Sequence, residues 1–178
     1  MKKAFLLLSA AALLAPSTLL GAEWGTVSGK IVLKGDVPSP VLLHAKGADI
    51  KDKEVCAALD TYKDDLVINA DTKGIANVFV YLAKAPKSIH PEAGKPAPKV
   101  IFDQKNCLFI PHTLVVQAGQ TVEVLNSDTI AHNTHTYPLR NQAVNVLVAP
   151  DTKAGSGTDV ATTTRETLPQ QVKCDYHP

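Results

Sequence analysis

The stretch HTLVVQAGQTVEVLNSD, residues 112–128, indicates what kind of fold this chain adopts. It contains two runs rich in β-forming residues around a turn at residues 118–120. In the second run, Thr-Val-Glu-Val at residues 121–124, polar and apolar side chains alternate, as they do in a strand with one buried face. We therefore expect two strands here, with Glu123 on the polar face of the second strand.

The other segments of the chain favour the same kind of fold. The other predicted elements are a strand in residues 26–38, a strand pair in 65–86, a short helix within 48–62, and two loops, at 84–99 and 149–164. The first loop is rich in proline, which cannot donate to a strand ladder. Several short strands with turn signals and little helix predict a mainly β chain, folded as an antiparallel β-sandwich.

The N-terminus has the layout of a secretory signal peptide. Two lysines precede an apolar run at residues 4–15, and small residues lead to a predicted cleavage site after Ala22. A membrane anchor is the alternative, but this run is shorter than the ~20 apolar residues that span a bilayer. We therefore predict a signal peptide at residues 1–22, one domain at residues 23–178, and a periplasmic or secreted protein.

The charge and motif content exclude some classes of function. Two of the 18 Lys and Arg residues lie in the predicted signal peptide, so the remaining ones nearly balance the 17 Asp and Glu residues. The chain therefore lacks the basic surface that nucleic acids require. We find no Ser-His-Asp signature, nucleotide-binding loop or convincing pair of catalytic carboxylates. We expect neither a nucleic-acid-binding protein nor an enzyme.

Three cysteines in an exported chain predict one disulfide and one free thiol. Pairing of Cys56 with Cys107 would close a loop of 51 residues. In the loop-entropy description such a bond stabilises a fold by roughly 4 kcal/mol. The free thiol would then be Cys174, which lies near a histidine. Pairing of Cys107 with Cys174 is the alternative.

Two segments that follow predicted strands carry metal-binding residue types. NSDTIAHNTHTYP contains His132 and His135, and VKCDYHP contains Cys174 and His177. If both segments meet at one end of a sandwich, two imidazoles and a thiolate suit copper, while Cys and His ligands also suit zinc. An incidental polar connection is the alternative for the first segment. The remaining histidines are expected to be surface or structural residues: His44, His90 and His112.

Together these segments resemble the cupredoxins, the blue copper proteins related to plastocyanin. GQTVEVLNSDTIAHN followed later by VKCDYHP carries the resemblance. The similarity is closer to exported bacterial cupredoxin-like proteins, in which DQKNCLFIPH and HNTH also recur, and it covers the chain from Trp24 to the end. The resemblance implies an antiparallel Greek-key β-sandwich that holds copper at one end.

Carried over by position, the resemblance also implies a ligand set. His132 and His177 would be the imidazole ligands, and Cys174 the thiolate ligand, of one copper ion. Asn133 matches the residue that hydrogen-bonds to the cysteine loop and joins the two ligand loops. His135 has no ligand counterpart in plastocyanin-like proteins, so we expect it at the surface, beside the ligands or in an accessory site.

The end of the chain departs from the family pattern. Cupredoxins place a weak axial methionine and one more strand after the second histidine, whereas this chain ends at Pro178 and has Met1 as its only methionine. We therefore expect that the chain is truncated in its C-terminal ligand loop, without the axial ligand and the last strand. A three-coordinate site with water or a carbonyl in the axial position is the alternative.

These observations predict a periplasmic electron carrier with one copper ion that alternates between Cu(I) and Cu(II). Its partners would be redox proteins that donate and accept electrons, and we expect a monomer that does not span the membrane. Multicopper oxidases and copper nitrite reductases use related domains, but this chain lacks their histidine clusters. The alternative function is a cupredoxin-like binding module, or a copper or zinc store, without redox activity.

Overall fold

A computed structural model describes residues 24–84, 86–93 and 95–177. The predicted signal peptide at residues 1–22 lies outside the described residues. Within them the chain is mainly β, with nine short strands and one helix of a single turn, as the sequence predicts. No helix in the described ranges has the length and apolar character that a membrane crossing requires.

The strands and the helix are short, and most of them lie in the second half of the chain. In chain order the elements are β1 (Leu42–His44), α1 (Lys53–Cys56), β2 (Thr61–Tyr62), β3 (Lys99–Lys105), β4 (Leu108–Ile110), β5 (Thr121–Val124), β6 (His132–Tyr137), β7 (Asn145–Val148), β8 (Thr158–Ala161) and β9 (Gln171–Lys173).

Two sheets face each other across the core, as in a β-sandwich. One has the strand order β4-β3-β5-β8 and the other β7-β6-β9, while β1 and β2 form a separate pair. β3 and β5 pair in parallel, and the other strand pairs are antiparallel. The expectation of a purely antiparallel sandwich is therefore wrong for the first sheet, which is mixed.

The hydrophobic core between the sheets is small. Its buried members are Phe102 of β3, Val122 and Val124 of β5, and Val148 of β7. Phe102 stacks on Phe109 of β4, with ring centroids 4.9 Å apart. Val148 is paired with His132, the first residue of β6. The core therefore supports the end of the sandwich at which β6 begins.

The prediction that Glu123 lies on the polar face of a half-buried strand is wrong. β5 lies between β3 and β8, and Glu123 is buried. Its Oε1 accepts hydrogen bonds from the backbone N–H groups of Gly155 and Gly157, at 2.7 and 3.2 Å. A Cβ at Gly157 would lie 2.6 Å from the carbonyl oxygen of Val124, so a glycine is needed where this connection crosses β5.

The N-terminal strand predictions are also wrong, while the predicted turn at residues 118–120 and the predicted helix are present. Residues 26–38 and 65–86 contribute the isolated bridges Val32–Gly74 and Ile68–Ile75 rather than strands, and residues 112–117 form no strand. α1 lies within the predicted helical segment. β8 lies within the predicted loop at 149–164. Strand formation depends on the available partner more than on local composition, and β5 provides that partner for β8.

Candidate metal centre

The antiparallel pairing of β6 with β9 brings the predicted ligands together. His135 of β6 is paired with Lys173 of β9, so the residue after β9, Cys174, lies beside the start of β6. In β6 the side chains of His132, Thr134 and Thr136 share one buried face. His132 therefore points inward at the end of the core where the cysteine loop passes.

Three donor atoms from these segments form a small triangle. The Cys174 sulfur lies 3.6 Å from Nδ1 of His132 and 3.6 Å from Nδ1 of His177, and the two nitrogens are 3.0 Å apart. A point equidistant from all three atoms is about 2.0 Å from each, from the radius of the circle through them, which is close to ordinary metal–nitrogen bond lengths of about 2.0–2.1 Å. The residues therefore fit a metal ion.

Cys174 is the free cysteine among the described residues, and its environment favours the thiolate. Burial raises the pKa of the thiol, but hydrogen bonds from His132, from the backbone N–H of Asn133, from His177 and from the backbone N–H of Tyr176 lower it from 9.0 to about 6. A thiolate is the form that binds metals. Cys174 is therefore ready to bind a metal at neutral pH.

A carboxylate holds the outer nitrogen of His132. Nε2 lies 2.8 Å from Oδ2 of Asp128, and the two side chains are 1% and 4% exposed. Asp128 also accepts hydrogen bonds from the backbone N–H groups of Asn106 and Cys107, at 2.7 and 2.9 Å. Burial lowers the pKa of His132, but the bonds to Cys174 and Asp128 outweigh that effect and raise it. The contact with Asp128 leaves Nδ1 facing the triangle.

His177 is held in the same manner by a residue from a distant part of the chain. Its Nε2 lies 2.8 Å from Oδ2 of Asp52, and its side chain is 6% exposed. Metal-binding histidines usually donate their other ring N–H to a carboxylate or carbonyl oxygen. The sequence motifs predict no role for Asp52 or Asp128. Asp128 lies four residues before His132 in a quoted motif, which is a usable signal, whereas no pattern marks Asp52.

Asn133 joins the two ligand segments. Its Nδ2 donates to Oδ2 of Asp175 at 2.8 Å and to Oδ1 of Asn145 at 2.7 Å, and its Oδ1 accepts from the backbone N–H of Asp175 at 2.6 Å. Asn133 is buried. These bonds join β6 to the cysteine loop and to β7.

His135 lies on the opposite face of β6 from His132. Its Nδ1 is 2.9 Å from Oδ2 of Asp175 and 3.0 Å from the Tyr137 hydroxyl, and it is not part of the donor triangle. The other three histidines also belong to no cluster of possible metal ligands among the described residues. One of these, His112, is paired with Asp64 instead.

A disulfide joins Cys56 to Cys107, with their Cα atoms 5.0 Å apart. Of the two pairings considered, this one leaves Cys174 free. The disulfide lies beside the donor triangle: both sulfurs come within 4.8 Å of a ring nitrogen of His177, and Cys107 comes equally close to His132 and Asp128. The disulfide thus connects the segments that carry Asp52 and Asp128.

Comparisons of the chain with protein-family models, with curated proteins and with solved structures found no match. The cupredoxin resemblance therefore depends on the quoted motifs and on the positions of their residues. The chemistry available to the site is set by its own geometry. That geometry provides one thiolate and two imidazole nitrogens, each imidazole being held by a carboxylate.

Proposed function

We propose that this chain is an exported, copper-binding electron-transfer protein. His132, Cys174 and His177 would hold a single ion. The observation that carries the proposal is the triangle of three donor atoms, with sides of 3.0 to 3.6 Å, at the end of the core. The likeness of both motifs to blue copper proteins supports copper as the metal.

The chemistry of the donors also supports copper. Two imidazoles and one thiolate are the ligands of blue copper electron-transfer sites. Bound copper would supply one-electron exchange between Cu(I) and Cu(II). The protein's contribution is to keep the three donors in one arrangement, since Asp128 and Asp52 hold the imidazoles and Asn133 holds the cysteine loop. Such fixed donors need to move little when an electron is gained or lost.

The burial of the donors favours electron transfer over catalysis. The side chain of His132 is 1% exposed and that of His177 is 6% exposed, which leaves little room for a substrate at the site. We therefore propose no enzymatic activity. The partners would be redox proteins of the same compartment, docking at the end of the sandwich where the exposed Tyr176 adjoins His177.

A zinc or copper store is the second candidate function. Cysteine and histidine ligands also form zinc sites, and carboxylate–histidine pairs are common around zinc. Residues 24–177 contain no methionine, so a thioether axial ligand does not come from within these residues. A storage site would bind the metal without a reversible redox wave.

The test is a titration of the mature protein with Cu(II), followed by visible absorption, with Cys174→Ser in parallel. Electron transfer predicts an intense thiolate-to-copper band that is absent in Cys174→Ser, together with a reversible one-electron wave. His135→Gln is the matched control and should keep the band, because His135 lies outside the triangle. Absence of the band in folded, reduced protein would contradict the proposal, and tight Zn(II) binding in that case would favour storage.

A further inference from the structure

We infer that Asp52 is a positioning residue for the metal centre, acting through the imidazole of His177. The inference rests on the proposed metal site, because it assigns the role of Asp52 in terms of that site. Asp52 and His177 are 125 residues apart in the chain, and their side chains meet at 2.8 Å. Nothing in the sequence motifs includes this contact.

The carboxylate of Asp52 makes no hydrogen bond to the helix that Asp52 begins. Asp52 is the N-cap residue of α1, yet its side chain makes no capping hydrogen bond. An aspartate at this position ordinarily accepts a hydrogen bond from the first turn of its helix. Its backbone is also left-handed, with φ of 50°. The chain thus adopts an uncommon conformation that directs the carboxylate towards His177.

Asp52 is the hydrogen-bond partner of Nε2 of His177 among the described residues. Nδ1 of the same ring faces Cys174 and His132. The Asp52 side chain is 39% exposed, and a solvent-accessible aspartate is ionised at neutral pH. An ionised acceptor at Nε2 keeps the lone pair of Nδ1 directed at the triangle and makes it a stronger donor.

The disulfide explains why Asp52 is close to the site without strand pairing. The backbone N–H of Cys56 donates to the carbonyl oxygen of Asp52 at 2.9 Å, so the two residues belong to one helical turn. Cys56 is bonded to Cys107, whose backbone N–H donates to Asp128. The disulfide therefore fixes the position of Asp52, the partner of His177, relative to Asp128, the partner of His132.

The experiment compares Zn(II) affinity in wild-type protein and in Asp52→Gly, Asp52→Asn and Asp49→Gly. Zn(II) does not oxidise the thiol, and competition with a chromophoric chelator measures its binding. Glycine removes the carboxylate and tolerates the positive φ. Asparagine tolerates it as well and keeps an oxygen acceptor. Asp49 lies in the same loop with a 98% exposed side chain, so its variant is the matched control.

The expected result is a loss of roughly 10–100-fold in Zn(II) affinity for Asp52→Gly, the usual cost of removing a partner of a ligand. Asp52→Asn should recover most of the affinity, and Asp49→Gly should bind as wild type does. Urea unfolding of the metal-free proteins should be the same for all four. Wild-type affinity in Asp52→Gly would overturn the inference, and so would a loss that merely follows a loss of folded protein.

A second measurement separates this inference from the proposed function. NMR of the ring nitrogens of metal-free protein monitors His177 directly. If wild-type protein binds neither Zn(II) nor copper, the proposed function fails, and the ring spectrum decides the contact by itself. A change in the Nε2 resonance of His177 in Asp52→Gly, absent in Asp49→Gly, would support the contact, whereas an unchanged resonance would overturn it.

Discussion

The two imidazoles that face Cys174 are held alike but by different kinds of structure. His132 begins β6, and its carboxylate partner Asp128 precedes it by four residues. His177 lies in the loop after β9, and its partner Asp52 comes from a segment 125 residues away. One half of the site is therefore built by a local motif, and the other half by the tertiary fold.

The two halves also differ in burial. The His132–Asp128 pair is almost inaccessible, at 1% and 4% exposure, whereas Asp52 is 39% exposed. Breaking a buried pair leaves unsatisfied polar groups in the protein interior, but an exposed group can be replaced by water. We therefore expect changes at Asp128 to reduce folding stability, and changes at Asp52 to affect mainly metal binding.

Removal of the disulfide should have the largest effect and should reveal the asymmetry. We expect Cys56→Ser/Cys107→Ser to lower the free energy of unfolding by about 4 kcal/mol, from the length of the closed loop. At low denaturant, where the protein remains folded, the ring resonances of His177 should change more than those of His132. Urea unfolding and NMR measure the two effects. Equal changes at both rings would contradict the proposed difference between the two halves of the site.

Asp128→Ala should have the second-largest effect on folding stability. It leaves the buried Nε2 of His132 and two backbone N–H groups without their acceptor. We expect a loss of roughly 3 kcal/mol in the free energy of unfolding of metal-free protein, since each unsatisfied buried group costs about 1–3 kcal/mol. Urea unfolding checks this, with the exposed Asp65→Ala as the control. A loss no larger than that of Asp52→Gly would contradict the proposed difference.

Asn133→Ala tests the connection between the halves. It removes three hydrogen bonds that join β6 to the cysteine loop and to β7. We expect a loss of about 2 kcal/mol in unfolding free energy and faster alkylation of Cys174 in metal-free protein. Asn145→Ala, which removes an exposed partner of the same cluster, should have a smaller effect on both. The reverse order would show that Asn133 is not the main link.

The part of the site that follows a local pattern could be predicted from the sequence. The alternation at Val122 and Val124 located β5, and the two motifs contain the three residues whose donor atoms meet in the triangle. The metal itself stays a prediction. Asp52 could not be found, because its contact with His177 depends on the disulfide and on a left-handed residue, neither of which produces a periodic pattern.

The same reasoning explains the errors in the fold. Residues 65–84 have strand-like composition but form isolated bridges, at Ile68–Ile75 and Val32–Gly74, rather than strands, because local composition does not provide a strand with a partner. β8 was missed because its segment is rich in glycine, serine and threonine, yet it pairs with β5 along four residues. Periodicity identifies the faces of a strand, while pairing is decided by parts of the chain that are distant in sequence.

The ionisation of the Cys174 thiol, at the centre of the site, should depend on pH in a way that can be measured. The pKa of its thiol is lowered to about 6 from an ordinary value of 9.0, which is taken for the unfolded chain. Its thiolate therefore stabilises the metal-free fold fully above the unfolded pKa, and this stabilisation is lost as the pH falls through 6. Alkylation rates should show a midpoint near pH 6, and Cys174→Ser should remove this part of the stability profile. A midpoint above pH 8 would contradict the hydrogen bonds from the two imidazoles.

A smaller effect is expected at Glu166, which holds the segment leading to β9. Its carboxylate accepts hydrogen bonds from the backbone N–H groups of Leu139, Arg140 and Asn141 in the β6–β7 connection. Burial raises the pKa of Glu166, but these bonds and one from the Asn141 side chain outweigh it and lower the pKa below 4.5. Its stabilisation is therefore present above the unfolded pKa and is lost as the pH falls through the lower folded pKa.

Glu166→Gln should accordingly reduce stability at neutral pH and converge with wild type in acid. Thermal unfolding of metal-free protein between neutral and acidic pH measures this difference. The exposed pair of Lys95 and Glu92 offers Glu92→Gln as the control, which should follow wild type throughout. Glu166 lies in the segment that leads to β9 and the cysteine loop. Its loss should therefore change the surroundings of Cys174 and His177 more than those of His132. An equal effect on both imidazoles would show that the two halves of the site move together.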